Sequence, residues 1–298
     1  MSPNEALLTV LVRAFVILLN RKDISVLIES HGRPELNEQI DVTRTVGWFT
    51  ALFPMVFKNI GENCLDDLKI IKESLRLVPN NGVGYDIARM NNLLELSYNE
   101  PLITYNYFGN RELENEAESV ALRPENYEIG ENIDPRNHFG SLFAINAEII
   151  KGEFFVNFSY PSAIMTEKQY FEFKDLVVQE AKKIIESLEN CKVKVATPSD
   201  YHINDMTLQD WSVIIQKLNM NNEVLEDIYQ LTPLQEGMLY DKLRNENSLN
   251  YVLQTVIGVR NLDITAMENA IERLSVVHSI LKTHIFYNGL AKPIQVIP

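Results

Sequence analysis

Apolar residues recur at Leu7, Leu8, Leu11, Val12, Phe15, Val16 and Leu19, the spacing of a helix buried along one face. Ser2-Pro-Asn-Glu5 supplies its start: a serine cap, proline at the first helical position and a glutamate placed for a capping box. After a polar turn at 20–23 the period changes from helical to alternating. Ile24, Val26 and Ile28 point one way, and Ser25, Leu27 and Glu29 the other, until Gly32 and Pro34 end the strand. A carboxylate, a histidine and a glycine thus collect at the end of an apolar strand, where sheet proteins often keep their chemistry. A glycine-aromatic segment headed by Arg44 follows over 44–54.

The pattern then predicts a helix over 65–77 with Leu68, Ile71 and Leu75 inward, a break rich in glycine and proline over 78–85, and a short helix over 86–94. Residues 102–109 alternate as a strand, with Asn106 on the face of Thr104. The acidic stretch 111–137 is expected as a long surface loop. Strands over 142–150 and 153–160 meet at Lys151-Gly152, a hairpin turn. Thr166-Glu-Lys-Gln169 caps a long helix with Phe173, Leu176, Val177, Ala181, Ile184 and Leu188 inward.

Beyond Asn190 the character changes. Residues 191–222 are polar, with a short helix near 208–218, and are expected as a linker. A new unit starts near 223. It holds a capped helix from Thr232, a strand over 251–258, a helix over 265–277 with Met267, Ala270, Ile271 and Leu274 inward, and a strand over 281–286.

Composition narrows the classes. The 298 residues carry a formal charge of −14, which speaks against nucleic acid or an anionic membrane as main partner, since both demand clustered Lys and Arg. Two distant cysteines, Cys64 and Cys191, fit no disulfide framework or metal spacing, so a cytoplasmic location and no bound metal are expected. The apolar run 7–19 lacks a basic flank, contains Arg13 and is too short to span a bilayer.

Several stretches, taken in order, resemble the condensation and epimerization domains of non-ribosomal peptide synthetases. Glu5-Ala-Leu-Leu-Thr-Val-Leu11 is similar to a Leu-Leu-x-Ala helix motif. Glu29-Ser-His-Gly-Arg33 resembles Glu-Gly-His-Gly-Arg-Glu, with Ser30 and Pro34 as departures. Residues 44–54 follow Arg-Thr-Val-Gly-Trp-Phe-Thr-x-x-Tyr-Pro, Pro79-Asn-Asn-Gly-Val-Gly-Tyr85 follows Pro-x-x-Gly-x-Gly-Tyr, and Tyr105-Asn-Tyr-Phe-Gly-Asn110 follows Phe-Asn-Tyr-Leu-Gly-Gln. In the second unit, residues 227–239 resemble the first motif of a condensation domain. His278-Ser-Ile-Leu-Lys-Thr-His-Ile-Phe286 resembles Arg-His-x-x-Leu-Arg-Thr-x-Phe, with Val277 in the arginine's place.

The resemblance implies a mixed α/β fold of the chloramphenicol acetyltransferase type. It implies the C-terminal lobe of an epimerization domain over 1–190, a linker over 191–222 and the start of a condensation domain over 223–298. The family's His-His-x-x-x-Asp-Gly motif is absent, since none of the five histidines is adjacent to another. The chain is therefore expected to be a fragment, inactive alone. The implied partners are the adjacent synthetase domains and a peptidyl carrier domain, whose 4′-phosphopantetheine arm presents an aminoacyl or peptidyl thioester; no cofactor is expected to bind the chain directly.

Inverting a Cα centre needs a base, an acid on the opposite face and donors for the enolate oxygen. Glu29 suits the base and Asn106 the donor, although each also suits a bland role as a surface carboxylate or a satisfied amide. His31 is either a second proton carrier or an organiser of the Gly32 turn. Arg33 and Arg44 hold the carrier's phosphate, hold Glu29, or make structural ion pairs. Trp48, Phe49, Tyr85 and Tyr107 line a pantetheine channel or belong to the core. Two other classes remain open: a non-catalytic carrier-docking scaffold, which the departures at Ser30 and Pro34 suggest, and a stand-alone trimeric acyltransferase, which would require the missing histidine motif.

Overall fold

The computed structural model describes residues 1–34, 41–94, 101, 103–111, 134, 140–191, 195–201, 203, 206–220 and 224–298. They form two compact units, Met1–Val195 and Ala196–Pro298. Among them no helix is long and apolar enough to cross a membrane. The loop expected over 111–137 lies outside the described residues, apart from Arg111 and Asp134.

In the first unit, α1 (Pro3–Leu19) begins at the expected capping box between Ser2 and Glu5 and ends on Asn20 in the left-handed conformation. β1 (Ile24–Ser30) follows. The glycine-aromatic segment then runs into a strand not anticipated from the pattern, β2 (Ala51–Phe57). It pairs antiparallel with β1 and forms the edge of the sheet, which is where a strand can carry a proline such as Pro54. α2 (Cys64–Arg76) is capped by Asn63, and α3 (Gly84–Met90) follows a tight turn at Pro79–Gly82. Within that turn Gly82 is required: its φ is +80°, and a Cβ there would lie 1.9 Å from the Phe53 ring.

β3 (Ile103–Arg111), β4 (Phe143–Ile150) and β5 (Glu153–Ser159) complete a five-stranded mixed sheet of order β2-β1-β3-β4-β5. β1, β3 and β4 run parallel; β5 returns antiparallel through Lys151-Gly152, both with positive φ, the geometry that matches strand twist in a two-residue hairpin. α4 (Glu167–Glu189) closes the unit. One face of the sheet, carrying Val26, Ile28, Phe53, Tyr105, Ile145 and Ala147, packs with α1 and α4 into a continuous core; Phe15, Phe143 and Phe173 meet there at ring separations of 4.7–5.9 Å. The alternation of buried and less buried positions along β1 to β4 puts the intervening residues on the opposite face.

The second unit departs from expectation. The expected linker 191–222 holds α5 (Leu208–Met220), whose Trp211, Ile214 and Leu218 form this unit's core with Ile203, Ile228, Ile294 and Val296. A polar stretch can still supply an apolar stripe when a few large residues recur at helical spacing. β6 (Asp227–Gln230), α6 (Pro233–Arg244), α7 (Ile264–Val277), β7 (His284–Phe286) and β8 (Ile294–Ile297) follow, with a three-stranded sheet of order β6-β8-β7. Residues 251–258 form no strand, and 279–282 are a tight helical turn before β7. Met267, Ala270, Ile271 and Leu274, expected inward, are exposed. Alternation and helical spacing announce a face to be buried, but they do not supply the surface that buries it.

Candidate functional site

Glu29 is the penultimate residue of β1, on the sheet face turned away from the helices, where it is half-buried. That burial pushes its carboxyl above the ordinary 4.5. Asn106 is its register partner on β3, so the two side chains rise from adjacent strands on one face, about 4.8 Å apart along the hydrogen-bonding direction. The structure therefore brings together the base and donor candidates. Beyond Asn106 the same row continues with two amides that the sequence reading did not single out: Asn146 on β4 and Asn157 on β5, both exposed. Their alternation phase is visible in Phe143-Ala-Ile-Asn146 and Val156-Asn-Phe158, but the register that aligns them is not.

His31 and Arg33 take a different part. The His31 Nδ1 accepts the Arg33 backbone N–H at 3.0 Å, which fits the turn-organising alternative. Arg33 lies over the Phe49 ring at 3.9 Å and donates Nη1 to the Val42 carbonyl at 2.6 Å and Nη2 to the Gly47 carbonyl at 3.4 Å. It thus clamps the segment leading into β2. Gly32 makes this turn possible: its φ is +62°, and a Cβ would fall 1.4 Å from the Phe49 carbonyl oxygen. Ser30, on the helix side, donates its hydroxyl to the Asn81 carbonyl at 2.8 Å and ties the end of β1 to the 79–82 turn.

The other candidates scatter. Arg44 is exposed, and Trp48 is 90% exposed on the same segment. Tyr85 and Tyr107 pack against the hydrophobic core on the helix side and do not share the face of Glu29. Burial also raises the Tyr107 phenol. Among the described residues no group of His, Cys, Asp and Glu is arranged to hold a metal ion. A cavity of about 580 Å³ in the second unit is lined by Tyr201, Ile203 and β6 and involves none of these residues.

The geometry offers a raised carboxylate beside an amide on an open sheet face, followed by two further amides, with a rigidly clamped turn at its end. That arrangement suits proton abstraction next to a carbonyl whose developing charge an amide N–H can receive.

Comparison with known proteins gives the chain its relations. The model of the condensation domain family matches residues 2–207. Linear gramicidin synthase subunits D and C of Brevibacillus parabrevis are 28% identical over 301 residues and 31% identical over 306, each across 99% of this chain. The chain spans only 6% and 4% of those two proteins. Among solved structures, the epimerization domain from the third module of tyrocidine synthetase B is 28% identical, with a TM-score of 0.56 over 63% of this chain and 42% of that one.

Proposed function

The chain belongs to the condensation-domain family, and from that membership we propose that its first unit is the C-terminal lobe of an epimerization domain in a non-ribosomal peptide synthetase. In this reading Glu29 takes the Cα proton of a thioester carried on a partner domain's phosphopantetheine arm. Asn106 donates to the enolate oxygen, and an acid from a first lobe returns a proton to the opposite face. The observation that carries it is the register pairing of a carboxylate raised by burial with Asn106 on one open face. The second unit, with α5 packed into its core, is the beginning of a condensation domain, which would receive the D-configured donor; the motifs at 227–239 and 278–286 support that part.

The scaffold alternative rested on Ser30 and Pro34. Ser30 serves as a structural tie, so its substitution leaves Glu29 in place and favours the catalytic reading. With no His-His-x-x-x-Asp-Gly motif in its 298 residues, the chain alone is expected not to invert stereochemistry. Paired with a first lobe that carries the motif, it should exchange the Cα proton of an aminoacyl or peptidyl pantetheine thioester for deuterium. Glu29→Gln should slow that exchange by about 10²-fold or more. Equal rates in variant and wild type would remove Glu29 from the chemistry.

A further inference from the structure

Across the open face of the first unit, one register row reads Leu52, Glu29, Asn106, Asn146, Asn157 from β2 to β5. Three asparagines in line are costly for a sheet, because asparagine is among the residues depleted in strands. A merely solvated face is more readily made with threonine, lysine or glutamate. Nor do the amides serve one another: among the described residues the side chains of Asn106, Asn146 and Asn157 make no hydrogen bond. Three side chains, each with two donors and an acceptor, are therefore presented in a row leading away from Glu29.

Of the neighbouring rows on this face, one holds Leu27, Thr104, Ala144 and Ser159, and the other holds Glu148 opposite Phe155, which is 47% exposed. From Glu29 to Asn157 the row crosses three strand spacings, about 14 Å. An extended peptide advances about 3.3 Å per residue, so the row matches about four residues. Peptide groups offer the N–H and C=O that a primary amide pairs with, whereas a single aminoacyl group offers too little backbone to reach Asn146.

We propose that Asn146 and Asn157 bind the backbone of an extended peptide whose C-terminal residue lies at Glu29 and Asn106, so that this lobe is built for a peptidyl thioester and not an aminoacyl one. This rests on Glu29 and Asn106 marking the reacting centre. Asn146 and Asn157 are positioning residues, remote from the Cα.

Two stable thioether-linked pantetheine probes test it on the full chain by titration calorimetry, one carrying a single amino acid and the other a tetrapeptide. The tetrapeptidyl probe should bind at least tenfold more tightly. Asn146→Ala/Asn157→Ala should erase that preference, at about fivefold per lost hydrogen bond, and leave the aminoacyl probe unchanged. Asn146→Thr/Asn157→Thr, which favours the strand, should do the same with the fold intact. Equal binding of both probes by wild type, no binding of either, or a preference that survives both double variants would overturn the proposal. Failure of Glu29 as base shows separately, in the exchange assay, because Glu29→Gln should leave the peptidyl preference in place.

Discussion

At the scale of single residues, Glu29 and Arg33 stand four positions apart and do opposite work. Arg33 spends its guanidinium on two carbonyls and the Phe49 ring, and among the described residues no cation lowers the pKa of Glu29. Burial raises the Glu29 carboxyl above 4.5, so between that value and its folded value the folded chain binds more protons than the unfolded one. The stability linked to this group is full below pH 4.5 and is lost as pH rises through the folded value. Glu29→Gln should therefore gain in Tm over wild type as pH is raised through that window, then hold the gain at higher pH. A Tm difference that stays flat across the window would show that ionising Glu29 costs the fold nothing. Beside it, Gly32→Ala must displace the Phe49 carbonyl and adopt a positive φ. The expected loss is at least about 2 kcal/mol in urea unfolding, and an effect within error would mean that the turn is free to rearrange.

At the scale of elements, the helices behind the sheet are joined by buried charge. Arg13 of α1 donates Nε to Glu180 of α4 at 2.7 Å and Nη1 to Asp67 of α2, which also accepts the Gly61 N–H at 3.0 Å; Lys183 reaches Glu180 at 2.6 Å. Burial alone would raise Glu180, but Lys183 and Arg13 outweigh it and hold the carboxyl below its ordinary value. Arg13→Ala leaves two carboxylates buried with much of their compensation gone, and should cost about 3–5 kcal/mol by urea unfolding. A loss below about 1 kcal/mol would mean that water or Lys183 replaces the guanidinium. The sequence announced these helices through their caps and apolar stripes, since both are local signals. It did not announce Arg13 as a buried partner of Asp67 and Glu180, because the pairs span 54 and 167 residues. The site divides the same way. Glu29 and Asn106 were legible from alternation and motif, whereas their adjacency and the continuation to Asn146 and Asn157 are properties of strand register, set by pairings far apart in the chain. For Tyr85 and Tyr107 the pattern left channel and core both open for a related reason, since an aromatic near a glycine looks alike in either place; both pack against the core.

At the scale of the molecule, the two units differ in how far their sequence pattern is answered by packing. The first buries a connected core of 21 apolar residues among those described, drawn from three helices, all strands but β5, and the loop residues Ile60 and Met165, with Val156 and Phe158 of β5 packed against it. The connected core of the second has seven, all outside α6 and α7, and Met267, Ile271 and Leu274 of α7 stay exposed along one face together with much of 249–262. Apolar burial is the main term that offsets the entropy of ordering a chain, so cooperativity should follow the larger core. Separated after Val195, whose carbonyl still accepts Lys72, residues 1–195 should unfold in urea as one cooperative transition with the same midpoint by far- and near-ultraviolet circular dichroism. Residues 196–298 alone should unfold broadly and bind a dye that reports exposed apolar surface. A sharp transition without dye binding in 196–298 would show that a connected core of seven suffices and that the apolar face of α7 is tolerated in water. A broad one would locate the deficit in α6 and α7, whose helical pattern is complete in sequence and whose apolar residues stay exposed.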